Sequence, residues 1–325
     1  MLTMVATEFT GYGGLKEEDR SKPIATAGRV LVRLTAAAIN PLDYTILSGG
    51  HPRAKAPLIL GNEGVGVIDQ SNLPSYPAGS RVMFTGPYGA REDGTWQQYL
   101  LVRPEELCLI PESVDDVTAA AVTVGYLTAY LTLRQAKFER GKSVLAPAIG
   151  GSVGNATYQL AHALGASVVV STAGSSEKAK KAQEAGFGNI IDLSREELSD
   201  GVRRLTDNAG VDVVIDSIGG AITSGSLSAM AMGGSLVSLG YSADRKTTID
   251  VTDIIWKDLK VTGFSLFRAT PAEIREAWDC ILPLLVKGSI KPLIDRTFPL
   301  ENAGEALRYL IEQRPFGKVI LTIGR

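Results

Sequence analysis

From residue 143 onward the sequence alternates apolar runs with helix-forming stretches, and no other feature limits the fold as strongly. SVLAPA (143–148) reads as a buried strand, and a helical pattern follows over about 153–164. ASVVVST (166–172) is a second strand, followed by a helix from Glu177 to Ala185. NIID (189–192), VDVVIDSI (211–218), GSLVSLG (234–240) and KVTGFSL (260–266) extend the strand set, with helices between them. Unbroken apolar strands separated by helices predict an α/β fold, a doubly wound parallel sheet covered on both faces.

The N-terminal third follows another pattern. RVLVRLTAAAI (29–39) and residues 65–68, 81–84 and 98–102 are β-like. Gly49-Gly50, Pro74, Pro77 to Gly79, Gly86-Pro87 and Gly94 separate them as turns, which predicts an irregular β-rich domain. Helical spacing takes over at 115–137, where Asp115 and Asp116 suit a first turn. The tail carries helices at about 271–287 and 301–312 and a last strand, KVILTI, at 318–323. At roughly 100–200 residues per domain, 325 residues make about two domains.

The first strand of the parallel set runs into Ala148-Ile-Gly-Gly151-Ser152-Val153-Gly154 and then a helix. Ala148, Gly151 and Gly154 fit an A-x-x-G-x-x-G spacing. A small residue turns the chain, one glycine lets backbone N–H groups approach a pyrophosphate, and another lets helix pack on strand. A structural turn could use the same residues, but the strand before and helix after favour a dinucleotide site.

The second strand ends in Ser171-Thr172-Ala173-Gly174-Ser175-Ser176, without the acidic residue that holds the ribose 2′-OH of NAD. Gly174, Ser175 and Lys178 suit a 2′-phosphate, so the expected cofactor is NADPH; the other reading of Lys178 is a solvated helix lysine. Ser217, Gly219 and Gly240 lie at strand carboxyl ends, where the cofactor would run. Asp216 is either a ligand there or a buried group fixing the turn.

Scarce residues narrow the chemistry. The chain has two histidines, His51 and His162, and two cysteines, Cys108 and Cys280. A catalytic zinc takes three protein ligands and a structural zinc four, so a four-cysteine lobe is impossible and no metal is expected. Two free thiols and no basic-then-apolar leader predict a cytoplasmic protein. No run of 18 apolar residues marks a membrane span. The net charge of −2 gives no general attraction to nucleic acid or an anionic membrane.

Asn40-Pro41-Leu42-Asp43, Gly61-Asn62-Glu63-Gly64-Val65, Gly94-Thr95-Trp96, Leu127-Thr128-Ala129-Tyr130, the glycine loop and VDVVIDSIGG occur in an order and spacing that resembles the medium-chain dehydrogenase/reductase superfamily. Within it the chain looks like the zinc-free, zeta-crystallin-like quinone oxidoreductases and the 2-enoyl thioester reductases.

The resemblance implies a GroES-like catalytic domain over 1–115, a Rossmann NADPH domain over 116–267 and a C-terminal return over 268–325, with the active site in the cleft. It also implies a homodimer or homotetramer. Where zinc-dependent members have a cysteine before the cleft and a Gly-His-Glu, this chain has Ile39 and Gly61-Asn62-Glu63.

Asn40 and Thr128 are implied to hold the acceptor or nicotinamide, while Asp43 orients its neighbours. His51 stands where relatives carry a tyrosine that orients substrate or supplies a proton; it either keeps that role or is a loop residue. His162 reads as helix packing. Tyr126 replaces a glycine of relatives and narrows the pocket. Asp192 falls where some NADPH-binding relatives have an Asn-Tyr that grips the 2′-phosphate.

The expected activity is hydride transfer from NADPH to a quinone or other activated C=C or C=O acceptor. The rivals are a 2-enoyl thioester reductase and a weakly catalytic, crystallin-like nucleotide-binding protein.

Overall fold

In a computed structural model, which describes residues 1–324, the first part of the chain carries eight strands and two α-helices. These are β1 (Leu2–Ala6), β2 (Leu15–Asp19), β3 (Val30–Ala38), α1 (Pro41–Leu47), β4 (Leu58–Ile59), β5 (Glu63–Gln70), β6 (Arg81–Thr85), β7 (Tyr99–Val102), β8 (Leu107–Leu109) and α2 (Asp116–Gln135). Next come β9 (Val144–Ala146), α3 (Ser152–Ala163), β10 (Val169–Ala173), α4 (Ser176–Glu184), β11 (Ile190–Asp192), α5 (Leu198–Leu205), β12 (Val211–Asp216), α6 (Ala221–Ser228), β13 (Met230–Ser238), α7 (Val251–Lys257), β14 (Lys260–Gly263) and α8 (Pro271–Val286). The chain closes with β15 (Ile294–Pro299), α9 (Ala303–Arg308) and β16 (Lys318–Thr322).

Two compact units result. One comprises Met1–Val124 and the chain from Ile294; the other is Gly125–Leu293. In the first, the order β15-β16-β3-β5-β6-β8 makes one sheet, with β7 also on β3, and β2-β1-β4 makes a smaller one. β3 has lost polar alternation because nearly all of it is buried, from Val30 to Val32 and again from Ala36 to Ala38. β16 returns to this sheet antiparallel to β3, with Leu321 opposite Ala37.

The second unit has the sheet order β11-β10-β9-β12-β13-β14, every pairing parallel. Counted from its first strand this is 3-2-1-4-5-6, the dinucleotide-binding order, with the strand order reversing between β9 and β12. Its core gathers Leu145, Val170, Val214 and Leu236 from the strands with Leu198, Val202 and Leu227 from the helices. α2 has the length and hydropathy to cross a bilayer, but 72% of its apolar window is buried, as in a core helix.

The expected segment 268–325 divides. α8 belongs to the second unit, because Ala277, Trp278, Ile281 and Leu285 recur at helical spacing and are buried. Glu276 on α8 also accepts from Tyr130 (3.2 Å) and pairs with Arg134 (2.7 Å) on α2. The boundary expected at 115 falls inside α2, between Val124 and Gly125. The helix expected over 301–312 is α9 between a 3-10 turn (Leu300–Asn302) and a π turn (Tyr309–Gln313).

Candidate active site

In the first unit, four motif residues and one from the far end of the chain form a buried polar cluster. Pro41 at the first position of α1 fixes φ for the helix start, and Asn40 before it is extended. Asp43 accepts from Asn40 N at 2.7 Å and from Gly61 N at 3.2 Å, tying the Asn-Pro-Leu-Asp turn to the Gly-Asn-Glu turn. Thr95 locks that second turn: its N–H donates to Gly61 O at 3.0 Å and its hydroxyl to Glu63 O at 2.9 Å. The Asn40 side chain turns inward, and its Nδ2 donates to Glu63 Oε1 at 2.7 Å and to Asn62 Oδ1 at 2.9 Å.

Lys318, the first residue of β16, completes the cluster. Its Nζ donates to Glu63 Oε1 at 2.7 Å and to Asn40 Oδ1 at 2.6 Å. The second Glu63 oxygen accepts from Val124 N at 2.6 Å. Glu63 and Asp43 are fully buried and Lys318 is 4% exposed. Burial above all, with Glu63 nearby, pushes the Asp43 carboxyl up to about 7, against the pull of Asn40 N, Lys318 and Gly61 N. Among the described residues, no three of His, Cys, Asp and Glu gather in a way that could hold a metal ion.

His51 lies in the turn after α1. Its Nδ1 accepts from Ala54 N at 3.1 Å and less closely from Arg53 N at 3.4 Å, so the neutral ring carries its proton on Nε2. Partial burial, then Arg91 and Arg53, holds its pKa below the usual histidine value. His51 therefore shapes the loop and has only Nε2–H to offer a ligand; it makes no hydrogen bond to the Asn40 cluster.

In the second unit the glycine loop follows β9, at the reversal point of the sheet. Ala148 has φ 62° and donates its N–H to Thr172 Oγ1 at 2.9 Å, and Ile149 N reaches Thr172 O at 3.0 Å. Thr172 thus binds the loop to the end of β10, a role that spacing alone did not reveal. A Cβ on Gly154 would lie inside contact distance of the Pro147 and Ala148 carbonyl oxygens, so this position needs glycine. Gly151 caps α3, and Asn155 N returns to Gly151 O at 2.9 Å. The N–H groups of Ser152, Val153 and Gly154 have no acceptor among the described residues. These donors at the positive end of a helix dipole fit a dinucleotide pyrophosphate.

Ser175 caps α4, its hydroxyl accepting from Lys178 N at 3.3 Å. Gly174 has open space where a Cβ would go. Ser176 belongs to a cluster the sequence reading did not assemble. Its hydroxyl donates to Asp192 Oδ2 at 2.5 Å and accepts from Arg195 Nε at 2.9 Å. Hydrogen bonds from Ser176 and Ser194 hold the Asp192 carboxyl below its usual range.

Asp216 is the buried turn-fixing group: it accepts from Ile218 N, Gly219 N and the Thr223 hydroxyl. Gly219 and Gly240 are needed because the loops after β12 and β13 abut, Gly240 against Ser217 O and Gly219 against Asp244 O. Thr128 on α2 is 4% exposed, and its hydroxyl makes no hydrogen bond among the described residues. Tyr126 is buried and accepts from Gln159 Nε2 at 3.0 Å. His162 is exposed on α3 and does not pack, contrary to expectation; the last turn of a helix suits a solvated imidazole.

Comparison with known proteins agrees with this layout. Residues 26–112 match the alcohol dehydrogenase GroES-like domain, and residues 152–283 match the zinc-binding dehydrogenase family. A quinone oxidoreductase of Pseudomonas aeruginosa is 32% identical over 324 residues, covering 97% of this chain and 98% of that protein. A mycobacterial protein solved with NADPH superposes with a TM-score of 0.89 at 25% identity, over 99% of this chain and 100% of that one. The apo JamJ enoyl reductase superposes with a TM-score of 0.85 at 25% identity, over 99% of both chains. With its motifs, its sheet order and a full-length relative in accord, the chain belongs to the medium-chain dehydrogenase/reductase superfamily, in the branch of the quinone oxidoreductases and enoyl reductases.

Proposed function

We propose that this protein is an NADPH-dependent, zinc-independent reductase that delivers hydride to a quinone or another activated C=C or C=O acceptor. The observation that carries the reading is the glycine loop at the sheet's reversal point, with three backbone donors unclaimed at the start of α3. NADPH bound there would supply the hydride, two electrons with one proton. The chain's share is to bind, orient and exclude water.

Preference for NADPH rests on the end of β10, which carries no acid and offers Gly174, Ser175 and Ser176. Lys178 and Arg195 supply positive charge nearby, and Asp192 opposes it. Zinc independence rests on the donor set: Ile39 and Asn62 replace ligand types, and Glu63 is committed to Lys318, Asn40 and Val124. Asn40, Thr128 and His51 Nε2–H are the candidates to orient acceptor and nicotinamide; Ser217, Gly219 and Gly240 border the cofactor path.

A homodimer or homotetramer is part of the proposal. Met232, Val251, Ile255, Trp256 and Val261 are exposed apolar side chains around the edge strand β14, all of whose residues are exposed. We place the protein in the cytoplasm, acting on small molecules, with no nucleic acid or membrane partner.

A 2-enoyl thioester reductase is the second reading, favoured by the likeness to JamJ. NADPH oxidation with 1,4-benzoquinone, 9,10-phenanthrenequinone and crotonyl-CoA separates the two. Turnover of the quinones supports the first reading, and turnover of crotonyl-CoA alone replaces it with the second.

A further inference from the structure

The direction of each amide in the Asn40 cluster is dictated by its partners. Lysine only donates, and the carboxylate of its ion pair only accepts. The Asn40 atom 2.6 Å from Lys318 Nζ is therefore Oδ1, and the atom 2.7 Å from Glu63 Oε1 is Nδ2. The second Nδ2 hydrogen goes to Asn62 at 2.9 Å, so the Asn62 atom received there is Oδ1. Asn62 is held with its oxygen inward, and Thr85 fixes its backbone carbonyl at 2.8 Å. Its Nδ2 hydrogens meet no acceptor among the described residues, although Asn62 is only 5% exposed. The Nδ2 atom is not among the buried side-chain polar atoms shut off from solvent, so its hydrogens remain open to water or to an acceptor that displaces it.

We propose that Asn62 is the donor that holds the carbonyl oxygen of the acceptor, and that Lys318, acting through Asn40, is the positioning residue that fixes its direction. The proposal rests on the reductase reading above. A quinone that accepts a hydride gains two electrons and one proton, negative charge collects on its carbonyl oxygen, and a second proton, from solvent, completes the hydroquinone. An amide N–H aimed at that oxygen is worth most while the charge develops. Lys318 polarises the Asn62 amide through two successive hydrogen bonds, Lys318 to Asn40 and Asn40 to Asn62. Asn62 also stands at the histidine place of the Gly-His-Glu pattern, so a fixed neutral donor replaces a metal ligand.

Asn62→Asp keeps the shape and removes the donor; Asn62→Leu removes polarity. Both are expected to lower kcat with 9,10-phenanthrenequinone by about 10²-fold while the Kd for NADPH stays unchanged. The neutral pair Lys318→Met with Glu63→Gln should lower kcat at an unchanged NADPH Kd, and Lys318→Arg, which keeps a cationic donor, should restore most of it. Turnover of both Asn62 variants within twofold of the parent overturns the proposal. A second readout is independent of turnover: the side-chain amide signal of Asn62 in ¹⁵N-asparagine-labelled protein, with duroquinone added and no NADPH. A shift supports the assignment even if the parent reduces no quinone, which would defeat the reductase reading alone. No shift in a parent that also fails to turn over overturns the assignment.

Discussion

Lys318 Nζ lies 2.7 Å from Glu63 Oε1, joining side chains 255 positions apart in the sequence and nearly excluded from water. The contact pins β16, the return of the chain, to β5 beside the Gly-Asn-Glu turn. Removing one member of such a pair strands the other charge in a medium that cannot solvate it.

Lys318→Met is therefore expected to destabilise the first unit by about 3–5 kcal/mol. Glu63→Gln combined with Lys318→Met should cost less than the two single changes summed, because no unpaired charge remains. Denaturant unfolding of the three variants checks both statements.

Asp43 gives the stability a pH dependence of known sign. Its folded pKa, about 7, lies above the unfolded value, so the folded chain holds the proton more tightly. Its contribution is fully present only below the unfolded value of 3.8, declines as pH rises from there, and is lost above about 7. Asp43→Asn should flatten that decline, although the amide loses one of the two backbone hydrogen bonds the carboxyl accepts. Thermal melting of both proteins across pH 4 to 8 is the measurement.

Two glycines of the nucleotide region should behave differently. Gly154→Ala pushes a methyl into the Pro147 and Ala148 carbonyls, so NADPH binding should be lost with the loop geometry. Gly174 has nothing within 4 Å of an added Cβ, so Gly174→Ala should leave the melting temperature unchanged. It should still weaken NADPH, because the methyl would occupy space meant for cofactor. Titration calorimetry and melting curves separate the two cases.

The Ser176–Asp192–Arg195 cluster should tune the choice of cofactor. Arg195→Ala is expected to weaken NADPH about tenfold and NADH little, since a charge-assisted bond to phosphate contributes roughly 1.5–3 kcal/mol. Asp192→Asn should shift the preference toward NADPH by removing a like charge. Kd values for NADPH and NADH in each variant provide the check.

The parallel sheet was legible because periodicity survives in local sequence: strands at 143–148 and 211–218 and the loop between Ala148 and Gly154 are contiguous signals. The short strands β1, β2 and β4 and the helix α1 escaped because a few residues carry little periodicity. The polar cluster escaped for another reason. Asn40, Asp43 and Glu63 sit in recognisable motifs, but Lys318 reads as the start of an ordinary strand. Only folding brings it to them. The Asp192 position was visible as a departure, whereas Arg195 became relevant only once Ser176 was seen between them.

The most direct measurement is kcat/KM for NADPH and for NADH with 9,10-phenanthrenequinone, before and after dialysis against a chelator. The expected result is turnover that favours NADPH and survives chelation unchanged. Tight NADPH binding without turnover, or activity lost on chelation and restored by zinc, would contradict a zinc-independent hydride transfer.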